Sequence, residues 1–186
     1  MKFISIILLA LIGRISQAGQ DIYTCKDAKI SIFSTAPIED ISASSSNGTS
    51  VYNASTGELA FSVPIRSFKF PKALMQEHFN DDYMESDKFP KATFKGTIKE
   101  QPDLTKDGSY PVTAAGDFEV HGVSQARTIN GTIKVSGGVV SMTSEFMVKC
   151  ADHHIDIPKI VFHNIAESIK INVSATYSAY KNNPSK

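Results

Sequence analysis

Four side chains toward the end of the chain, Cys150, Asp152, His154 and Asp156, recur at every second position in "KCADHHIDIP". On an extended strand that spacing puts a thiol, an imidazole and two carboxylates on one face, a donor set suited to zinc or copper, with His153 pointing the other way. The spacing matches no closed structural site, and Pro158 soon interrupts the strand, so no metal is expected. Cys25 is the only other thiol. In an oxidising compartment the pair forms a single disulfide; otherwise both act as small buried apolar residues. A metal- or redox-linked periplasmic protein using Cys150, His154 and their neighbours is therefore the second functional reading.

The remaining polar residues with chemistry are scattered. His78 shares helical spacing with Leu74 and Met75 in "KALMQEHFNDDY", which turns it toward whatever that apolar stripe covers. His121 follows Asp117 and Glu119 on the polar side of "GDFEVHG", which puts it on the outer surface or rim, and Arg127 follows shortly after. There is no nucleophile elbow, no HExxH and no Gly-rich phosphate loop, and catalysis is not expected.

The setting for these residues is an exported chain. Lys2 precedes the apolar run Phe3 to Ile12, and Ser16-Gln17-Ala18 supplies the small residues of a signal peptidase site, so residues 1–18 read as a signal peptide. The run is well short of the roughly 20 residues that span a bilayer. The mature domain is then 19–180, with 181–186 as a flexible tail, periplasmic or secreted and without stable membrane insertion. Without Lys2 and Arg14 the 19 basic residues fall to 17 against 19 acidic ones, a formal charge of −2 that draws no nucleic acid.

Period-two alternation dominates that domain. "YPVTAAGDFEV" sets Tyr110, Val112, Ala114, Phe118 and Val120 against Thr113, Asp117 and Glu119. The same pattern sets Ile129, Ile133 and Val135 on one face, then Val140, Met142, Phe146 and Val148 after the turn-forming Gly137-Gly138, then Ile169, Ile171, Val173, Ala175 and Tyr177. Four earlier strands fall in "AKISIFSTAP", the Ser-rich "DISASSSNGTSVYNAS", "GELAFSVPIRSFKF" and "KATFKGTIKE". In the third of these the apolar phase slips after Pro64, as at a bulge or an exit from the sheet. An amphipathic helix with Pro71 in its first turn and the stripe Leu74, Met75, His78, Phe79 and Tyr83 lies between strands three and four. A shorter helix falls in "FHNIAES" before the last strand.

The expected fold is all-β: an eight-stranded antiparallel barrel with its helix as lid or plug. Alternation alone leaves open whether the inward residues fill a solid core or line a lumen.

The blocks "TAPIEDISASS", "KALMQEHFNDDYMESDKFPKATFKG", "GDFEVHGVSQ" and "ADHHIDIPKIVFHNIAESIKINVSATY" resemble, in order and spacing, the YceI-like family of exported bacterial proteins, particularly Bacteroidetes-type members. The resemblance implies a lipocalin-like barrel with a lumen holding a polyisoprenoid, such as a polyprenyl pyrophosphate or a prenylated quinone, and a carrier, storage or sequestering role without catalytic residues. It makes Phe61, Phe68, Met75, Phe79, Phe94, Phe118, Val120, Met142 and Phe146 lumen residues, and His78 and Arg127 candidates for the head group. No cofactor beyond the lipid is implied, and members can form homodimers. Cys25 and Cys150 depart from the threonine-like and aliphatic residues expected there, and His153 stands where an aromatic is usual.

Overall fold

The computed structural model describes residues 21–35, 40–157 and 167–180. Eight strands follow one another: β1 Ile22–Ser34, β2 Ile41–Asn53, β3 Glu58–Pro64, β4 Lys91–Ile98, β5 Gly108–Val120, β6 Val123–Ser136, β7 Val139–Lys149 and β8 Ser168–Ala179. Each pairs antiparallel with its neighbour, and β8 pairs with β1, so the sheet closes into a barrel with every alternate side chain inside. The proposed helix before β8, the signal peptide and the tail lie outside the described residues.

The barrel is not uniform along its axis. β5 and β6 pair over their whole length, from Gly108↔Val135 to Val120↔Val123. In contrast, β6 and β7 pair only from Ser136↔Val139 up to Gly131↔Ser144, and β2 and β3 only from Tyr52↔Leu59 to Thr49↔Ser62. Above those levels both seams part, and the barrel splits into two four-stranded leaves, β3 to β6 and β7 to β2.

Below the split the interior is solid. Tyr52, Ile133, Val135, Val140, Ala175 and Tyr177 are buried there. The Tyr177 hydroxyl donates to Ser50 Oγ at 2.7 Å, and Ser50 donates on to the Ala60 carbonyl at 2.9 Å. Burial pushes the Tyr177 phenol far up, so it stays a protonated donor. Where β4 meets β5, Gly96 faces Gly116, and a Cβ on Gly116 would lie 2.2 Å from the Lys95 carbonyl oxygen. That close approach brings Phe94 and Phe118 side by side in register one turn of the pleat above.

The slip after Pro64 is an exit from the sheet. The chain makes a 3-10 turn, Ile65–Ser67, then crosses to β2, where Ser44 and Lys69 exchange backbone hydrogen bonds of 3.2 and 2.8 Å. This segment covers the open β2/β3 seam. The helix α1, Ala73–His78, follows and runs directly into a π-helical turn, Phe79–Tyr83. Pro71 is not in its first turn: Lys72, in extended conformation, is the N-cap. Leu74 is also not on the covering face; it is 62% exposed, because the short helix presents the Met75–Phe79–Tyr83 row inward instead. No helix among the described residues is long and apolar enough to cross a membrane.

Candidate ligand cavity

Between the two leaves, above the solid base and under α1 and the π-helical turn, lies a cavity of about 380 Å³. This is within the range of small-molecule sites and far above the space of one water. Phe61, Phe68, Met75, Phe79, Phe94, Phe118, Val120, Met142 and Phe146 all line it. The lid is fastened from below by rings: Phe79 stands 4.9 Å from Phe70 and 5.8 Å from Phe68, centre to centre. On the opposite wall Phe118 meets Phe146 edge to face at 5.9 Å.

Ile32, Phe33 and Ile41 line the cavity too, as do Phe70 and Met84. Sequence reasoning missed the first three because the inward face of the Ser-rich β2 and of the irregular β1 does not stand out, and the last two because they lie outside the strands, on either side of the lid. The β1 register also shifts at Cys25, Ala28 and Ile30, which blurs the alternation.

His78 lines the mouth, half exposed, with Nδ1 2.5 Å from Asp82 Oδ2 one helical turn on. Among the described residues its other nitrogen has no hydrogen-bond partner. Arg127 is a correction: it does not line the cavity. Although it has the strand parity of Ile129, its guanidinium crosses the parted β6/β7 seam, donating to the Met147 carbonyl at 3.1 Å and to Asp152 Oδ2 at 3.3 Å. Gln125 donates to the Asp152 carbonyl at 3.0 Å and His153 Nδ1 to the Val123 carbonyl at 3.0 Å. Side chains thus close a seam that backbone ladders leave open.

The proposed disulfide is likewise overturned. Cys25 and Cys150 are free, buried thiols. Thr24 pairs with Ser178 at one end of β8 and Lys149 with Ser168 at the other, so roughly 30 Å of strand separates the two cysteines, against the about 4–7 Å between Cα atoms that a disulfide spans. Burial raises both thiols, which keeps them protonated and unreactive.

The shared face of Cys150, Asp152, His154 and Asp156 also dissolves. β7 ends at Lys149, and Cys150–His153 form a 3-10 turn capped by His154 in the left-handed conformation. Cys150 then faces the cavity, Asp152 is held by Arg127, and His154 and Asp156 are exposed. Among the described residues no three potential ligands come together. His153 is fully buried against the Phe118 ring, edge to face at 5.3 Å, and its Nε2 has no hydrogen-bond partner. Burial, more than the nearby Arg127 charge, depresses its pKa and keeps it neutral.

His121 sits at the rim, in the two-residue turn between β5 and β6, but it is not free on the surface. Its Nε2 is 3.0 Å from Glu85 Oε2, its Nδ1 is 3.2 Å from the His153 carbonyl oxygen, and its ring meets Phe89 at 4.5 Å. Glu85, His121 and His154 are the non-glycine residues with positive φ among those described, at 40°, 54° and 54°. Each such conformation costs on the order of 1 kcal/mol, and all three belong to this one corner.

A barrel solid at one end, hollow and apolar at the other, and closed over by a short helix belongs to the lipocalin-like class of small β-containers. The YceI-like domain matches residues 23–177, and the chain belongs to that family. Among solved structures it is similar to a polyisoprenoid binding domain from Saccharophagus degradans implicated in plant cell wall breakdown, with a TM-score of 0.73 at 12% identity over 85% of this chain and 98% of that one. It is also similar to Burkholderia cenocepacia BcnA, with a TM-score of 0.69, 12% identity and coverage of 81% and 96%. A Campylobacter jejuni YceI protein gives 0.58 at 16% identity, covering 80% and 90%. At these identities the likeness concerns the fold. No curated protein matches the chain in sequence.

Proposed function

We propose that this chain is a non-catalytic binding protein of the bacterial cell envelope that holds an isoprenoid lipid in the cavity, with the tail among the phenylalanines and the head near His78. The observation that carries this reading is the cavity itself: 380 Å³ of space walled by Phe, Ile, Val and Met. A wall of that composition gains nothing from water and much from a hydrocarbon chain, at about 0.8 kcal/mol per methylene transferred. A prenyl tail represents on the order of 10 kcal/mol of gross transfer or more, so it does not travel free through water and needs an apolar container.

The polyisoprenoid-binding neighbour supports the ligand class, and the N-terminal pattern supports export with removal of residues 1–18. We do not extend the reading to the redox alternative, because the two thiols stand at opposite ends of the barrel. Organic extraction and mass spectrometry of protein purified from its native host tests the proposal. A stoichiometric prenyl lipid is the expected result; protein that is empty in every preparation, and that fails to take up added polyprenol, would sink it.

A further inference from the structure

The lid is held down unevenly. Its first part is fastened through Phe79, but α1 itself contains no buried residue. Its return to β4 buries Met84, is tied by the Arg66–Asp87 ion pair and by the Ile65 N–H to the Pro90 carbonyl, and is joined at the other side of the mouth by a polar bridge. There Glu85, on the stretch leaving the π-helical turn, meets His121 of the β5–β6 turn, which in turn meets the His153 backbone beside the parted β6/β7 seam. The turn itself is shaped around the lid, since a Cβ on Gly122 would lie 2.5 Å from the Phe89 ring.

Both nitrogens of His121 face oxygens that only accept: a carboxylate and a carbonyl. A neutral imidazole carries a single N–H and can donate to one of them; the imidazolium donates to both. Its side chain is only 10% exposed, so water does not readily replace a lost partner.

We propose that the Glu85–His121–His153 bridge is a latch on the lid, complete when His121 is an imidazolium and missing one hydrogen bond when it is neutral, so that the cavity closes in acid and opens toward alkaline pH. This rests on the reading of the cavity as a ligand site and assigns its regulation. Histidine is the side chain that ordinarily changes charge between about pH 5 and 8.

The charged surroundings are mixed. Lys88 lies 3.7 Å from the other oxygen of Glu85, Arg127 pairs with Asp152 one residue from the carbonyl, and His153 is a buried ring bonded to Val123. On the lid, Arg66 pairs with Asp87 and His78 with Asp82, a second histidine–carboxylate contact.

The variants that test the latch are His121→Asn and Glu85→Asn. Asparagine tolerates positive φ, so both turns keep their conformation while the bridge is cut. Amide hydrogen-exchange protection of residues 73–89 is measured on ligand-free protein at pH 5.5 and 8. At pH 5.5 each variant is expected to lose about ten-fold protection in the lid and none in β6 and β7 below Gly131, as for one charge-assisted hydrogen bond. Wild-type protection is expected to fall toward that of the variants at pH 8.

Protection equal in wild type and both variants overturns the latch. So does a pH dependence that survives in His121→Asn, which would belong to another group, the buried His153 foremost. A dansyl-labelled farnesol is then loaded: faster release from wild type at pH 8 than at 5.5, abolished in the variants, supports gating, and a release rate blind to both overturns it. Failure of the probe to bind counts against the proposed ligand class, and the protection factors still decide the latch.

Discussion

The lower and upper halves of the barrel are built from the same strands and the same alternation, yet one is a core and the other a container. In the lower half, ladders run between all neighbours, and Ile133, Tyr52 and Ala175 are sealed to 1% exposure or less. In the upper half two ladders stop, the leaves part, and residues of the same parity on the same strands, such as Ile129 above Ile133 and Ile171 above Ala175, face space. Apolar patterning specifies which way a side chain points, while backbone pairing specifies whether another side chain meets it. The upper half then needs other fastenings, and it has them: Arg127, Gln125 and His153 across one seam, the Ser44–Lys69 bridge across the other.

Three measurements break or sharpen this contrast. The largest effect is expected from truncating isoleucine at two depths. Ile133→Ala leaves a void in a filled core and costs about 2–5 kcal/mol in urea unfolding. Ile171→Ala borders space already empty and costs about 1 kcal/mol, its main effect being weaker retention of an apolar probe. Equal losses would show the upper half to be as tightly packed as the base.

The second concerns His153. Burial holds its folded pKa below the unfolded value, so the unfolded chain takes up a proton that the folded chain refuses. Stability therefore falls as pH drops below about 6.5, through the window between unfolded and folded values. His153→Phe removes this term, and its urea midpoint is expected to change less between pH 7.5 and 5.5 than that of wild type. An unchanged slope would show that the buried ring is protonated or solvated in the fold.

The smallest effect is expected from oxidation. Mild oxidant should leave the native intact mass without the loss of two hydrogens, and thiol reagent should label Cys25 and Cys150 only after unfolding. An intramolecular disulfide formed in the native state would contradict the separation of the base from the mouth.

Much of the fold was legible because it is local. Val112, Ala114, Phe118 and Val120 alternate so cleanly that their inward face needed no structure, and the slip after Pro64 marked the exit toward the lid. Leu74 misled because a six-residue helix ending in a π-helical turn does not keep the stripe that its sequence spacing suggests. The cysteines misled because an even count carries no distance.

By itself, then, the order of residues determined the parity of the strands, the hairpins and the residues that face inward, since these follow from steric and solvation preferences within a few positions of each other. Tertiary structure decided where the β2/β3 and β6/β7 ladders end, and hence that there is a cavity; it also brought Glu85 to His121 across 36 positions. Those outcomes depend on how eight strands share one closed circumference, a constraint that belongs to the whole sheet and is written in no single stretch of it.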